Sequence, residues 1–475
     1  MAAEADTHLQ SRLGRSRTAA LYRLLDKKAR RLGWGLVDQA VSSLTNFAIV
    51  LYVARSVDAA QFGAFSLAYT TYGFLLSASR GLASGPLQVR FSGKDVSVWR
   101  RATRDCTGNA AVSGVIAGLG ALATAMALHG TARMAFIALG LMLPGLLLQD
   151  SWRYAFFTLG RGSQAFLNDF IWALALLPAL AALRVTHSHQ VFWFVLVWGA
   201  AANVAAVAGM WQARVIPNPA QAWAWVRQHG DLGARYLAEY TFINGASQLR
   251  TYAVGIIVGL AAVGYLQAAN TLMGPFMVIY LAMTLVTVPE AVRALHRSQR
   301  SLRLFCMFTS AALAVIGLAW GVFLLVALPR GFGAWLLGSI WKPAYPLVLP
   351  MMITVIWLCI SAGATTGLHA LGAAPRSLRA SLIVSVLSIG GSLAGSFAAG
   401  VSGAVWGVAI GTWVGVLVWW WEMSAALREL NAPRRARGRH RRGGRLNPSR
   451  EMGDVRTYRH RDVGKYGHPD GLGGG

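Results

Sequence analysis

Apolar residues in this chain arrive in blocks of about twenty, and blocks of that length constrain the fold class more than any other feature. Crossing a hydrocarbon layer takes roughly 20 helical residues. Inside the layer every backbone amide and carbonyl must find its partner within the segment or a closed sheet, and no water can substitute. Twelve blocks fit, at approximately 34–53, 62–84, 107–128, 134–154, 166–183, 191–212, 238–260, 264–288, 304–328, 346–368, 379–399 and 402–421. The chain is 55% hydrophobic and 13% charged, against about 25% charged for a soluble domain. The sequence predicts an all-α polytopic membrane protein. The polar, basic residues 1–33 precede a first block long enough to stay as a span, which reads as a retained helix and not a removable signal.

The formal net charge of +26 would suggest nucleic acid in a soluble protein, but its distribution follows the spans. Of the 44 Lys and Arg, 37 fall in the two tails and alternate loops, counting Arg153 and Arg379 at span edges. Five (Arg55, Arg133, Arg184, Arg330, Lys342) occupy the other loops, and Arg80 and Arg250 lie inside spans. The positive-inside bias predicts cytoplasmic N- and C-termini in a plasma membrane. The run Arg434-Arg435-Ala436-Arg437-Gly438-Arg439-His440-Arg441-Arg442 is too charged to build a core. It reads as a tail attracted to anionic membrane lipid, and no specific nucleic acid is expected, since no aromatic platform backs it. Cys106, Cys306 and Cys359 sit in or beside apolar blocks and read as buried thiols.

The two halves of the chain can be laid on each other. Gly63 opens span 2 as Gly264 opens span 8. Pro86 is followed four residues later by Arg90, and Pro289 by Arg293; Leu159-Gly160-Arg161 is answered by Leu371-Gly372…Arg376. Six spans per copy preserve orientation, which implies a parallel repeat of two six-helix lobes. The predicted organisation is a basic segment 1–33, an N-lobe 34–213, a linker 214–237, a C-lobe 238–427 and a basic tail 428–475.

Polar residues recur inside the spans that open each half. Span 2 carries Ser66, Thr70, Gly73, Ser77, Arg80 and Ser84 on one helical face. Span 1 carries Asp38, Ser42, Thr45 and Asn46; span 7 carries Glu239, Asn244, Gln248 and Arg250; span 8 carries Gln267, Asn270 and Thr271. A charge at mid-bilayer depth costs at least about 2.5–3.5 kcal/mol and faces a wet cavity or a partner. Arg250, Arg80, Asn46, Ser77, Thr70, Gln248 and Asn270 are therefore the candidate substrate residues, lining a cavity between lobes. A guanidinium there suits an anion, because its fork matches phosphate oxygens; a structural ion pair with Asp38 or Glu239 is the competing reading for Arg250. Asp38 and Glu239 are candidate ion-coupling carboxylates, and Asp150 with Arg153, three residues on, reads as a local structural pair. No phosphate loop, metal-ligand set or catalytic loop stands out, so neither enzyme activity, cofactor nor metal is expected. His187-Ser188-His189 reads as plain loop.

Asp38-Gln39-Ala40-Val41-Ser42-Ser43-Leu44-Thr45-Asn46-Phe47, then Val53-Ala54-Arg55 and Gln61-Phe62-Gly63-Ala64-Phe65-Ser66, resemble the first two helices of polysaccharide-biosynthesis flippases. These belong to the multidrug/oligosaccharidyl-lipid/polysaccharide (MOP) exporter superfamily. Leu159-Gly160-Arg161-Gly162 is similar to the family's turn after span 4. The resemblance implies two lobes around a cavity, alternating access, a lipid-diphosphate-linked glycan as substrate and polysaccharide assembly proteins as partners, with Arg80 and Arg250 meeting the diphosphate. A cation-coupled multidrug exporter of the same fold and a membrane scaffold with a recruiting tail are the alternatives.

Overall fold

The structure, a computed structural model, describes residues 33–35 and 37–431, with the side chains at 239–244, 284, 285 and 431 outside the description. The basic stretch beyond residue 431 and the first 32 residues also lie outside it. The described chain is helical throughout, and twelve helices correspond to the twelve predicted spans: α1 Gly33–Ser56, α2 Ala59–Ser79, α3 Val96–Ala127, α4 Gly130–Leu159, α5 Gly162–Val185 and α6 Val191–Ala213. There follow α7 Ala222–Ile257, α8 Leu260–Arg297, α9 Gln299–Ala327 and α10 Trp341–Ala370. The stretch Ala374–Asn431 is broken at Ala399 and Gly400, giving α11 before the break and α12 after it. Gly400 takes φ 60°, open to a residue without Cβ at little cost, and this lets α12 fold back along α11. Gly391 and Gly395 then meet Gly407 and Gly403 so closely that a Cβ at any of the four would stand within 2.4 Å of a backbone oxygen. Small residues of this kind are what lets membrane helices pack by their backbones.

Nine described helices are apolar and long enough to cross a membrane by length and composition, the last being the pair α11–α12. α2 and α7 fall outside that set, the first because of its hydroxyls and the second because of Asn244, Ser247, Gln248 and Arg250 within its apolar stretch. The protein is thus an all-α multi-pass membrane protein. The three cysteines are free and buried.

Helices pack chiefly within each half: α3 on α4, α4 and α5 on α6, and in the second half α9 and α8 on α10. The halves meet through α2, which lies against both α7 and α8. At one end of that contact α2 and α8 cross with almost no side chain between them. A Cβ on Gly63 would stand 1.7 Å from the Leu260 carbonyl oxygen, and one on Gly264 would stand 2.6 Å from the Ala59 oxygen. Midway, the hydroxyls of Thr71 and Tyr252 lie 2.8 Å apart, tying α2 to α7. The opposite end of the bundle carries the linker from Arg214 to Gln221, whose Asn218 amide donates to the Arg104 carbonyl at the start of α3.

α2 does not stop at Ser79. It widens into a π turn, Arg80–Ser84, and continues as the short helix Gly85–Phe91. Pro86 explains the irregularity: it has no N–H to give the carbonyl of Leu82 four residues earlier, and its ring crowds the preceding turn. π turns of this kind collect at functional positions, and here the turn begins on one of the two arginines inside the spans.

Candidate functional site

Six of the candidate residues line two cavities, one in each half, where the sequence suggested a single cavity between lobes: Asn46, Arg80, Asp150 and Arg153 the first, Arg250 and Asn270 the second. The reason is that the polar faces of α1 and α2 turn toward α4 and α5, whereas those of α7 and α8 turn toward α10, α11 and α12.

The first cavity, about 150 Å³, is lined by Ser42, Asn46, Tyr72, Gly73, Arg80, Asp150, Arg153, Asp169 and their apolar neighbours. Arg80 grips Asp150 with two hydrogen bonds, Nε to Oδ2 at 2.9 Å and Nη2 to Oδ1 at 2.7 Å. Its guanidinium also lies 5.2 Å from the centre of the Tyr154 ring. Arg153 turns the other way, placing Nη2 2.6 Å and Nε 2.7 Å from Asp38 Oδ2. Its Nε is also 3.5 Å from Asp169 Oδ2. The expected local pair of Asp150 with Arg153 is therefore not made. Each arginine instead reaches across helices to a carboxylate, and Arg80 gains bidentate geometry that an i,i+3 pair on one helix seldom offers. Asp38 is fully buried, and its Oδ1 has no hydrogen-bond partner among the described residues. Asp169 Oδ1 accepts from Gln149, 2.8 Å away. Three carboxylates thus face two guanidiniums. Arg153→Ala should orphan Asp38 and Asp169 together, and losing one side of a buried pair costs roughly 3–5 kcal/mol. Thermal unfolding of Arg153→Ala beside Arg250→Ala checks this; equal midpoints would contradict the assignment.

The second cavity, about 330 Å³, has a different character. Its walls are largely Met273, Met277, Met351, Val355, Leu358 and Val405, with Ser247, Thr251, Asn270, Thr354 and Ser392 as hydroxyl and amide groups. Arg250 is its cation. The guanidinium donates from Nη1 to Ser388 Oγ at 3.0 Å, and no carboxylate pairs with it among the described residues. The Glu239 side chain lies outside the described residues, and Asp38 is taken by Arg153.

The remaining candidates are placed as follows. Asn46 lines the first cavity and donates to Ser42's carbonyl on its own helix at 2.9 Å. Ser77 bonds back to the Gly73 carbonyl at 2.9 Å, so part of the α2 hydroxyl face is satisfied within the helix. Thr70 is half-buried and lines neither cavity. The Gln248 amide reaches to within 3.8 Å of where a Gly73 Cβ would stand, bridging the halves. Asn270 lines the second cavity. His189 Nδ1 lies 2.8 Å from the Ser56 carbonyl, in keeping with a loop role. Sequence reasoning missed Ser388, Thr71 and Tyr252; single hydroxyls in apolar helices give no signal until a partner is seen.

A third polar group lies at the linker end. Arg90 places Nη2 2.7 and 2.8 Å from the two Asp231 oxygens and donates from Nη1 to the Gln228 carbonyl at 3.1 Å and to His229 Nδ1 at 2.6 Å. Because a guanidinium only donates, Nδ1 must accept, and the ring is neutral with its proton on Nε2. Burial, with the Arg90 charge beside it, pushes the His229 pKa below its ordinary value.

No family model and no curated protein matches the sequence. Solved structures do match. An inward-facing multidrug resistance MATE family transporter of the MOP superfamily aligns over 84% of this chain and 99% of its own, with TM-score 0.63 and 14% identity. The lipid II flippase MurJ, in an inward closed conformation, aligns over 84% of this chain and 91% of its own, with TM-score 0.60 and 10% identity. A MOP-superfamily transporter from Pyrococcus furiosus aligns over 82% and 94%, with TM-score 0.50 and 14% identity. All three are transporters. This chain has the fold of the MOP-superfamily transporters.

Proposed function

We propose that the protein is an exporter or flippase that carries an amphipathic anion, a lipid-diphosphate-linked glycan precursor, between the faces of a plasma membrane by alternating access. The observation that carries the reading is Arg250, a guanidinium in a methionine-rich cavity with a hydroxyl for company and no described carboxylate. A buried structural arginine takes a carboxylate, as Arg80 and Arg153 do here; one left without is suited to an anion brought by a ligand. The apolar walls suit the lipid next to the diphosphate. Both termini face the cytoplasm in this reading, supported by the distribution of Lys and Arg. The better agreement with an inward-facing relative supports a cavity open on the cytoplasmic side.

The first cavity supplies the coupling. Three carboxylates against two guanidiniums leave one negative charge over, and the unpartnered Oδ1 of Asp38 is where a proton or small cation would balance it. The same surplus favours the second reading, a cation-coupled multidrug exporter.

The test is reconstitution of the full chain in vesicles carrying a fluorescent polyprenyl-diphosphate glycan, with loss of inner-leaflet signal to a membrane-impermeant quencher as readout. Vesicles with protein should lose it at least about tenfold faster than empty ones, a factor worth about 1.4 kcal/mol in the barrier. Equal rates, with efflux of a cationic dye instead, would replace the glycan reading with the multidrug one.

A further inference from the structure

Trp225 stands in the first turn of α7, just after the linker that joins the halves, yet it is 4% exposed and its indole does something other than pack. Its Nε1 donates to the carbonyl of Leu82, 3.2 Å away, inside the π turn that follows α2. That carbonyl is the one Pro86 cannot serve. The Asn109 side-chain amide also approaches it, at 3.5 Å, a distance at which little of a hydrogen bond remains. A side chain at the start of α7 therefore donates to the backbone of a membrane helix from the other half.

The surroundings hold it there. The indole lies 4.2 Å from His229 and 6.0 Å from Phe91, ring centre to ring centre, and Arg90 fastens the same stretch of α7 through Asp231. Gly81 in the turn lies against the α7 backbone, so closely that a Cβ would stand 2.8 Å from the Leu237 nitrogen. The segment downstream of the turn is thus clamped, and the turn sets the rotation of what lies upstream. One extra residue in a helix turns the chain by about 100°. The first residue of this turn is Arg80, whose guanidinium is held on Asp150.

We infer that Trp225 is a positioning residue for Arg80: the indole at the start of α7 holds the π turn that Pro86 imposes, and so keeps Arg80 aimed at Asp150 in the first cavity. The start of α7 then couples its own position to the charged cluster, since lifting it away frees the Leu82 carbonyl and lets the turn rewind. The inference rests on the transport reading only for its activity readout.

Trp225→Phe keeps an aromatic ring and removes the donor. In full-length protein it should lower transport of the fluorescent polyprenyl-diphosphate glycan roughly three- to tenfold per folded molecule, the usual net effect of one hydrogen bond, and lower the thermal midpoint in detergent. The deciding comparison repeats it in an R80Q/D150N background, which removes both charges and orphans neither. If Trp225 acts through Arg80, its effect on the midpoint falls to less than about half there; if it only packs, the two changes add. Additive effects, or no effect of Trp225→Phe on either readout, overturn the inference. Should Trp225→Phe fail to fold, replacing the indole by its benzothienyl analogue removes the N–H at constant shape and gives the same two outcomes. The midpoint needs no cargo, so coupling without glycan transport would sink the transport reading and leave this one standing.

Discussion

Arg250→Ala is expected to stop transport of an anionic lipid while leaving the protein folded. The side chain makes one described hydrogen bond, to Ser388 Oγ, which keeps its bond to the Ser385 carbonyl when the arginine is gone. No described carboxylate is stranded by the change, so the penalty that attends breaking a buried pair does not arise. What is lost is the charge-assisted contact to the cargo, worth about 1.5–3 kcal/mol, or roughly ten- to a hundredfold in rate per folded molecule. Arg250→Lys should fall between, keeping the charge and losing the planar fork. Normal transport by Arg250→Ala would remove the guanidinium from the mechanism, and a collapse in thermal stability would make it structural instead.

Gly63→Val is expected to have an effect as large by a different route. The nearest atom to a new Cβ is the Leu260 backbone oxygen, 1.7 Å away, and a backbone cannot step aside as the tip of a side chain can. The crossing of α2 and α8 could then not close, and a transporter that must shut this end in each cycle would stall with it open. Transport should drop at least about tenfold, and a cysteine at Ser247, an exposed position of the second cavity, should become reactive to an impermeant maleimide from this side. Gly73→Ala is the control on the same helix: among the described residues its Cβ would meet the Gln248 amide nitrogen at 3.8 Å, an ordinary contact. If Gly63→Val transports as well as Gly73→Ala, the crossing takes no part in gating.

The helices were legible because hydrophobic length is a property of each segment by itself, and a span needs no knowledge of its neighbours. The same locality explains the weaker results. Asp150 and Arg153 sit three residues apart and read as a pair, yet their partners, Arg80 and Asp38, are 70 and 115 residues away in the chain. Sequence spacing along one helix says which face a side chain takes; which helix that face meets is decided by packing. Arg250 and Arg80 stood out for the cost of burying a cation, and both do line cavities. That one meets a carboxylate and the other meets none among the described residues could be found only with the carboxylates in place. Pro86 was visible as one of a pair of matched prolines, but the carbonyl it leaves open and the indole that fills it belong to elements 143 residues apart.

The crossing of α2 with α8 has one more property. Gly63 meets residue 260, four before Gly264, while Gly264 meets residue 59, four before Gly63. Each glycine does to the other helix what the other does to it, the reciprocity that defines the interface of a symmetric dimer, in which residue i touches j and j touches i. The crossing is therefore closed from both sides by the same device, and a side chain added at either glycine would open it against the other helix's backbone.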